Sequence, residues 1–311
     1  MLGHIQNIQY ILITPACNEE EFIGNTLQAV AQQTLLPQQW IIVINGSTDG
    51  TEEIVRNFAR RHSFIKPVAL QVTEKRDFSN KVHAIQYGYN LVRDWSFDFI
   101  GILDADITVE SSYFEKLLAR FQADPRLGIA GGTILEKQDG KFVNRYGNSS
   151  DYVAGAVQMF RRECWEQIGG YRPMKYAHED TVATEMARMR GWQVQPFADL
   201  PAYHHRRSST GGARIWKARL HQGEADYMVG YHPLFELVKF VRRLTEKPFI
   251  IGSLLRWLGY LYAFLLRKKR PVSEEFVSFL QKRQLQRVKK LRFNQPVLKN
   301  EILRSTNKIS H

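Results

Sequence analysis

Phe99-Ile100-Gly101-Ile102-Leu103-Asp104-Ala105-Asp106 is the stretch whose reading decides the fold. An apolar run with no polar face reads as a strand buried on both sides of a parallel sheet, and this one ends in two carboxylates. An open α/β sheet binds its ligand outside such carboxyl ends. With the backbone extended through Ala105, Asp104 and Asp106 point to one side, because side chains two apart share a face of a strand. The pair can then share a divalent cation. Hard oxygen ligands suit magnesium or manganese, and a magnesium held by one or two carboxylates keeps positions open for substrate phosphates. The same short spacing also fits a solvated Asp-rich turn, so the flanking chain must discriminate.

Toward the N-terminus the pattern alternates. Tyr10 to Thr14, Trp40 to Ile44 and Pro67 to Val72 read as strands, and roughly Phe22 to Gln33, a helix that Thr48, Asp49 or Thr51 can cap, and Asn80 to Val92 read as helices. Asn45-Gly46-Ser47-Thr48-Asp49-Gly50 is turn chemistry leading into a capped helix with Glu52 and Glu53 in its first turn. Strands alternating with helices over a hundred residues predict a mostly parallel sheet with helices on both faces. Toward the C-terminus a helix from about Ser111 to Ala123 is followed by strands at Leu127 to Ile134 and Ala154 to Phe160, with Glu136 to Asp151 polar and read as loop. His178-Glu179-Asp180 opens a further helix running to Arg190. Acidic residues are favoured at a helix start whether or not they have another role.

The 311 residues, 44% of them hydrophobic, suffice for one large domain plus an appendage and argue against disorder. The formal net charge of +12 is unevenly placed. From Lys239 to His311 there are 18 of the 43 Lys and Arg but 4 of the 31 Asp and Glu, which leaves 25 basic and 27 acidic residues before it. A nearly neutral body therefore carries a strongly basic C-terminal region, suited to an anionic partner or to water. Two cysteines, Cys17 and Cys164, make neither a disulfide framework nor a metal site, and they read as packing residues in a reducing, cytoplasmic compartment. No signal-peptide pattern precedes the first strand.

In order along the chain stand Thr14-Pro15-Ala16-Cys17-Asn18-Glu19-Glu20, Ile44-Asn45-Gly46-Ser47-Thr48-Asp49-Gly50-Thr51, Asn80-Lys81, Asp104-Ala105-Asp106, Gly155 through Tyr171 with Phe160-Arg161-Arg162 and Gly169-Gly170-Tyr171, and Glu179-Asp180. Together, over roughly Gln9 to Trp192, they resemble the family 2 glycosyltransferases of GT-A fold, and the helical extension beyond resembles exopolysaccharide-type members. The resemblance implies a Rossmann-like catalytic domain over 1–215, followed by a helical basic region over 216–311. It implies nucleotide-sugar binding by Pro15, Ala16, Glu19, Asn45, Ser47, Lys81, Asp104 and Ala105. Asp106 is expected to coordinate Mg2+ or Mn2+ directly, with Asp104 on the ribose or on metal-bound water. One departure stands out: family members commonly carry an aspartate, assigned to the base, where this chain has Ile44. The amide of Asn45 can substitute, since it offers both a donor and an acceptor to a base edge.

The implied chemistry is an inverting transfer from a nucleotide-diphosphate sugar to a lipid-linked or polysaccharide acceptor. A cation bridging the diphosphate stabilises the charge left on the leaving group. Asp180 is expected to take the acceptor hydroxyl's proton, with Glu179 orienting it, in a site that raises the base's pKa by partial burial. His204-His205-Arg206-Arg207 is a further candidate, His204 as a metal ligand and the arginines as diphosphate contacts; a solvated basic loop fits it equally well.

Phe249 to Leu266 is apolar apart from Arg256 and a few small or hydroxyl residues, and Arg267-Lys268-Lys269-Arg270 follows at once. Eighteen residues sit at the short edge of a bilayer span, and a central arginine costs about 2.5–3.5 kcal/mol on insertion scales. Three readings follow: an in-plane or re-entrant helix, a single span, or a buried core helix. A second tail helix from about Ser273 to Phe293 is rich in Lys and Arg, which suits an anionic leaflet. The expectation is a protein at the cytoplasmic face of the membrane, peripheral or monotopic, with no nucleic-acid partner.

Two other functions compete. A nucleotidylyltransferase making an activated sugar would want a Gly-rich basic loop after the first strand, which Pro15-Ala16-Cys17-Asn18-Glu19 is not. A nucleic-acid-binding α/β protein using the basic tail would want base-stacking aromatics and a recognisable motif, whereas here the charge clusters beside an apolar helix.

Overall fold

The computed structural model describes residues 8–70, 79–138, 140–144, 151–206, 214–244 and 250–293. The chain divides into two compact units, Met1–Thr210 and Gly211–His311.

The first unit starts with β1 (Tyr10–Ala16), α1 (Ile23–Ala31), β2 (Gln39–Asn45), α2 (Thr51–Ala59), β3 (Ile65–Leu70), α3 (Ser79–Asn90) and β4 (Phe99–Ile102). The four strands are parallel in the order β3-β2-β1-β4. Ile11 to Ile13 and Ile41 to Val43 are fully buried, as strands covered on both faces must be. A buried polar pair in this layer satisfies itself, Trp40 Nε1 donating to Thr14 Oγ1 at 2.9 Å. The chain steps outward from β1 to β3 and then returns to the other side of β1 with β4. The carboxyl ends of β1 and β4 therefore flank the topological switch point where such sheets bind ligands.

β5 (Ile107–Val109), α4 (Tyr113–Ala123), β6 (Leu127–Gln138), β7 (Lys141–Asn144), β8 (Met159–Arg161), α5 (Arg162–Ile168), α6 (Glu179–Met189) and β9 (Gln193–His204) complete the unit. Among the described residues nine strands form one sheet, continuing from β4 through β8, β6 and β9 to β5, with β7 paired to β6. β8 runs antiparallel to β4 and β6, while β6 and β9 are parallel.

Three local readings are corrected. The strand before the two aspartates stops at Ile102. Beyond it the Asp104 N–H goes to the Ala156 carbonyl, 3.0 Å, and Ile107 N–H donates back to the Asp104 carbonyl, 3.3 Å, so Asp104 and Asp106 sit on a turn and strand alternation does not set their directions. Buried Thr26 of α1 pins that turn by donating to the Ala105 carbonyl at 2.7 Å. Second, residues 136–144 contain a hairpin, because β6 continues to Gln138 and Gly140, at φ +82°, turns the chain into β7. Third, Ala154 to Gln158 is not extended. Val157 N–H closes a turn on the Ala154 carbonyl, and only Met159–Arg161 pairs in the sheet.

The second unit comprises α7 (Arg214–Val229), α8 (Pro233–Arg242), α9 (Ile251–Leu265) and α10 (Glu274–Phe293). α7 and α9 pack backbone to backbone at two glycines. A Cβ on Gly223 would lie 1.7 Å from the Arg256 carbonyl oxygen, and one on Gly259 would lie 2.0 Å from that of Leu220. Arg256 points inward. Its Nε donates to buried Asp226 at 2.7 Å, and Lys239 lies 2.9 Å from Asp226 and 3.0 Å from Glu236. The central arginine of the apolar run is thus neutralised inside the helical unit. One side of α9, including Tyr260 and Ala263, is buried. Among the described residues no helix is long and apolar enough to cross a membrane. Val72, Arg207 and Phe249 lie outside the described residues.

Candidate active site

The loop after β1 and the loop after β2 hold each other. Asn18, at φ +56°, donates its N–H to Ser47 Oγ at 3.1 Å and accepts from Thr48 N–H at 2.8 Å. Glu19 N–H donates to Thr51 Oγ1 at 2.7 Å, and Gly50 N–H to Glu20 Oε2 at 2.8 Å. Ser47 therefore shapes the loop that carries Glu19. Pro15 and Ala16 end β1. The side chains of Ala16 and Ala105 are buried, so these two alanines offer a ligand only their backbone. At the end of β2, Asn45 Nδ2 donates to the Asn80 carbonyl at 3.2 Å. Asn45 Oδ1 and Asn80 Nδ2 are buried with no hydrogen-bond partner among the described residues, which leaves one acceptor and one donor open beside Lys81.

Lys81, at the start of α3, is the hub. Its Nζ lies 2.7 Å from Asp104 Oδ1 and 2.9 Å from Oδ2. Burial favours the neutral amine, but the charges of Asp104, Glu179 and Asp180 outweigh it and raise the Lys81 pKa. Lys81 thus meets the turn after β4 in direct contact, and the charges at the start of α6 act on the same ammonium. Asp104 itself is raised by burial, with Lys81 opposing and Asp106 adding. Glu179 is raised by burial and by Asp180 beside it.

Asp106 faces a different set. His204 Nε2 is 3.2 Å from its Oδ2, and Arg206 Nε donates to the same oxygen at 3.0 Å. Burial pushes the Asp106 pKa up, yet the hydrogen bonds and charges of His204 and Arg206 win and hold it below the usual carboxylate range. Arg206 also pairs with Glu19. The Glu19 carboxyl is pushed up to about 7, chiefly by burial, against the opposing charge of Arg206. Register explains the meeting: β5 pairs antiparallel with β9, Ile107 opposite His204, so the end of β9 is delivered to the Asp104–Ile107 turn. Among the described residues no three His, Cys, Asp or Glu groups form a ready metal cage. Asp106 with His204 supplies one oxygen and one imidazole nitrogen, a set that suits manganese and leaves room for phosphate oxygens.

The Asp180 carboxylate is held on both oxygens. Oδ1 accepts from Thr181 N–H at 2.6 Å, and Oδ2 accepts from Gly155 N–H at 3.1 Å and from the Tyr152 hydroxyl. Tyr152 and Arg206 are site residues whose partners are not apparent from the sequence. Tyr152 lies between the loop read over Glu136 to Asp151 and the strand read from Ala154, and Arg206 reads from sequence as a diphosphate contact or as part of a solvated basic loop.

The glycosyl transferase family 2 model matches residues 11–184. The poly-beta-1,6-N-acetyl-D-glucosamine synthase of Staphylococcus epidermidis is 30% identical over 260 residues, 75% of this chain and 58% of that protein. Its counterpart in Staphylococcus aureus is 24% identical over 258 residues, 77% of this chain and 60% of that protein, so the chain spans about 60% of the length of the curated relatives it matches. Among solved structures, a mannosyltransferase of Pyrobaculum calidifontis in complex with GDP-Man and Mn2+ has a TM-score of 0.52 at 17% identity, covering 93% of this chain and 81% of that one. S. aureus TarS in complex with UDP-GlcNAc has a TM-score of 0.51 at 14% identity, covering 89% and 83%. Both likenesses support the GT-A architecture. With more than half of its length matched, the chain belongs to glycosyl transferase family 2.

Proposed function

We propose that this chain is the catalytic part of an inverting glycosyltransferase that moves a sugar from a nucleotide-diphosphate donor to a lipid-linked or polysaccharide acceptor. The observation that carries the reading is the 2.7 Å ion pair of Lys81 with Asp104 beyond the carboxyl end of β4, on whose ammonium the charges of Glu179 and Asp180 at the start of α6 also act. It links a diphosphate-binding end to a proton-accepting end through one ammonium. The donor's nucleoside lies along the loops of β1 and β2, with Asn45 and Asn80 presenting their open amide groups. Asp106 and His204 would hold the divalent cation, which when bound offsets the charge on the diphosphate. Arg206 and Lys81 supply further positive charge to that end. The acceptor oxygen attacks the anomeric carbon from the face opposite the diphosphate, the C–O bond to the diphosphate breaks, and Asp180 takes the hydroxyl proton. One displacement inverts the centre. The relatives make UDP-GlcNAc the first donor to try.

The second unit supports a place at a membrane surface. Leu234, Leu237 and Val241 share one face of α8, and Ile251, Leu254, Leu258 and Leu265 share one face of α9; all are exposed, Leu265 at 75%. Arg242, Arg243 and Arg267 to Lys269 flank them. An apolar face bordered by cations suits the interface of an anionic leaflet.

The test is product stereochemistry. The chain, Mn2+ and UDP-GlcNAc, whose sugar is α-linked, are incubated with a lipid or polysaccharide acceptor fraction, and the new anomeric proton is read by NMR. A β-linkage that is lost in EDTA is expected; an α-linkage, or full transfer in EDTA, contradicts the reading.

A further inference from the structure

The hydrogen bonds that fix Asp180 come from its own helix and from a segment far back in the chain. Tyr152, 28 residues earlier, donates its hydroxyl to Oδ2, and Gly155 N–H donates to the same oxygen at 3.1 Å. The approach is close enough to require glycine: a Cβ at position 155 would lie 2.8 Å from both Cβ and Oδ2 of Asp180. The Tyr152 ring packs against the buried core of the first unit, so its hydroxyl is delivered from a rigid support. On the other side Thr181 N–H holds Oδ1 at 2.6 Å. Glu179 contributes charge, but two ionised carboxylates repel and cannot hydrogen-bond each other.

We infer that Tyr152 is a positioning residue, which with the space left at Gly155 locks the plane of the Asp180 carboxylate toward the acceptor hydroxyl. The inference rests on the reading of Asp180 as the base. A carboxylate held by one oxygen alone swings about its terminal torsion, which is broad and weakly restrained. Donors on both oxygens remove that freedom and leave the remaining lone pairs aimed one way. Tyr152 gives up no proton. Burial, reinforced by the charge of Asp180, drives its phenol pKa far above the ordinary value, so it remains a donor throughout the working range. The acceptor's proton ends on Asp180, and the Tyr152 hydroxyl stabilises the ionised form that must be present beforehand. Among the described residues, Lys81 of α3, Glu179 of α6 and Tyr171 also interact electrostatically with Asp180.

The experiment is a double-mutant cycle on the full chain with Tyr152→Phe, Asp180→Asn and the pair, reading nucleoside diphosphate release from UDP-, GDP-, dTDP- and CDP-sugars with Mn2+ across pH. Tyr152→Phe is expected to lower kcat about tenfold, the scale of one hydrogen bond to an ionised group, with donor KM unchanged. The acidic limb of its kcat/KM profile should move to higher pH, because a donor to the ionised form is gone. Added to Asp180→Asn, the same change should cost nothing further. Should Tyr152→Phe not fold, as judged by circular dichroism, Gly155→Ala displaces the same carboxylate and is expected to give the same split. If Asp180→Asn loses most of its turnover but Tyr152→Phe leaves kcat and the acidic limb unmoved, or lowers the residual turnover of Asp180→Asn by the same factor as wild type, the positioning role is overturned. If Asp180→Asn keeps wild-type turnover, the base assignment fails, and the role assigned to Tyr152 fails with it.

Discussion

Arg206 Nε sits 3.0 Å from Asp106 Oδ2 across 100 residues of sequence, so that a guanidinium occupies one side of the carboxylate proposed to hold the metal. The same arginine pairs with Glu19. A fixed cation and a divalent ion compete for one carboxylate, whereas a diphosphate gives the arginine a new partner. Arg206→Gln is therefore expected to bind Mn2+ alone more tightly than wild type, and UDP with Mn2+ less tightly. Calorimetric titration of each ligand checks both signs; Mn2+ binding that is unchanged or weaker in the variant contradicts the account.

The proposed metal site makes His204 the group that should set the pH dependence of cation binding. Burial alone lowers an imidazole pKa, but the hydrogen bond and charge of Asp106 outweigh it and raise the His204 pKa above its ordinary value. A proton on Nε2 and a metal ion exclude each other, so raising the pH through neutrality frees the nitrogen. Mn2+ affinity measured with UDP present should rise over that interval, and His204→Gln should flatten the curve. An equally steep curve in the variant would assign the proton to another group.

In the second unit, Gly223 and Gly259 allow α7 and α9 to touch backbone to backbone. Neither neighbour is a flexible side-chain end that can move aside. Gly259→Ala should destabilise the unit by at least about 1–3 kcal/mol, the usual range for overpacking. Hydrogen exchange is expected to show lost protection in α7 and α9 while UDP binding by the first unit persists. Unchanged protection in both helices would refute the tight crossing.

Much of the fold was readable because β1, β2 and β4 are apolar on both faces and their flanking helices show one buried stripe. What was not readable has local causes. β5 is three residues long and directly follows Asp106, too short for periodicity to register. All four residues of β7 are exposed, so its edge hairpin has no apolar alternation and reads as loop. Ala154-Gly155-Ala156-Val157 reads as strand, but it turns beneath Asp180. For the candidate site, Lys81, Asp104 and Asp180 lie within recognisable motifs. The bonds of Tyr152 to Asp180 and Arg206 to Asp106 join residues 28 and 100 apart, and no local pattern encodes them.

The exposed apolar faces of α8 and α9 make a separate prediction. Leu254→Glu with Leu258→Glu puts two carboxylates on the exposed face proposed for the leaflet, on the side of α9 opposite buried Arg256. Pelleting with phosphatidylglycerol vesicles should fall several-fold while UDP binding is retained, and high salt should partly release the wild type. Equal pelleting of variant and wild type would remove this face from the interface.

The central claim is that Asp180 takes a proton in the transition state without holding the donor, and Asp180→Asn measured for turnover and donor affinity together addresses it most directly. The amide keeps the shape of the carboxylate but cannot accept the proton. Turnover should fall by at least about 100-fold with the donor Kd essentially unchanged. A Kd that rises sharply while turnover per bound complex stays at the wild-type value would make Asp180 a donor-binding residue and contradict the mechanism.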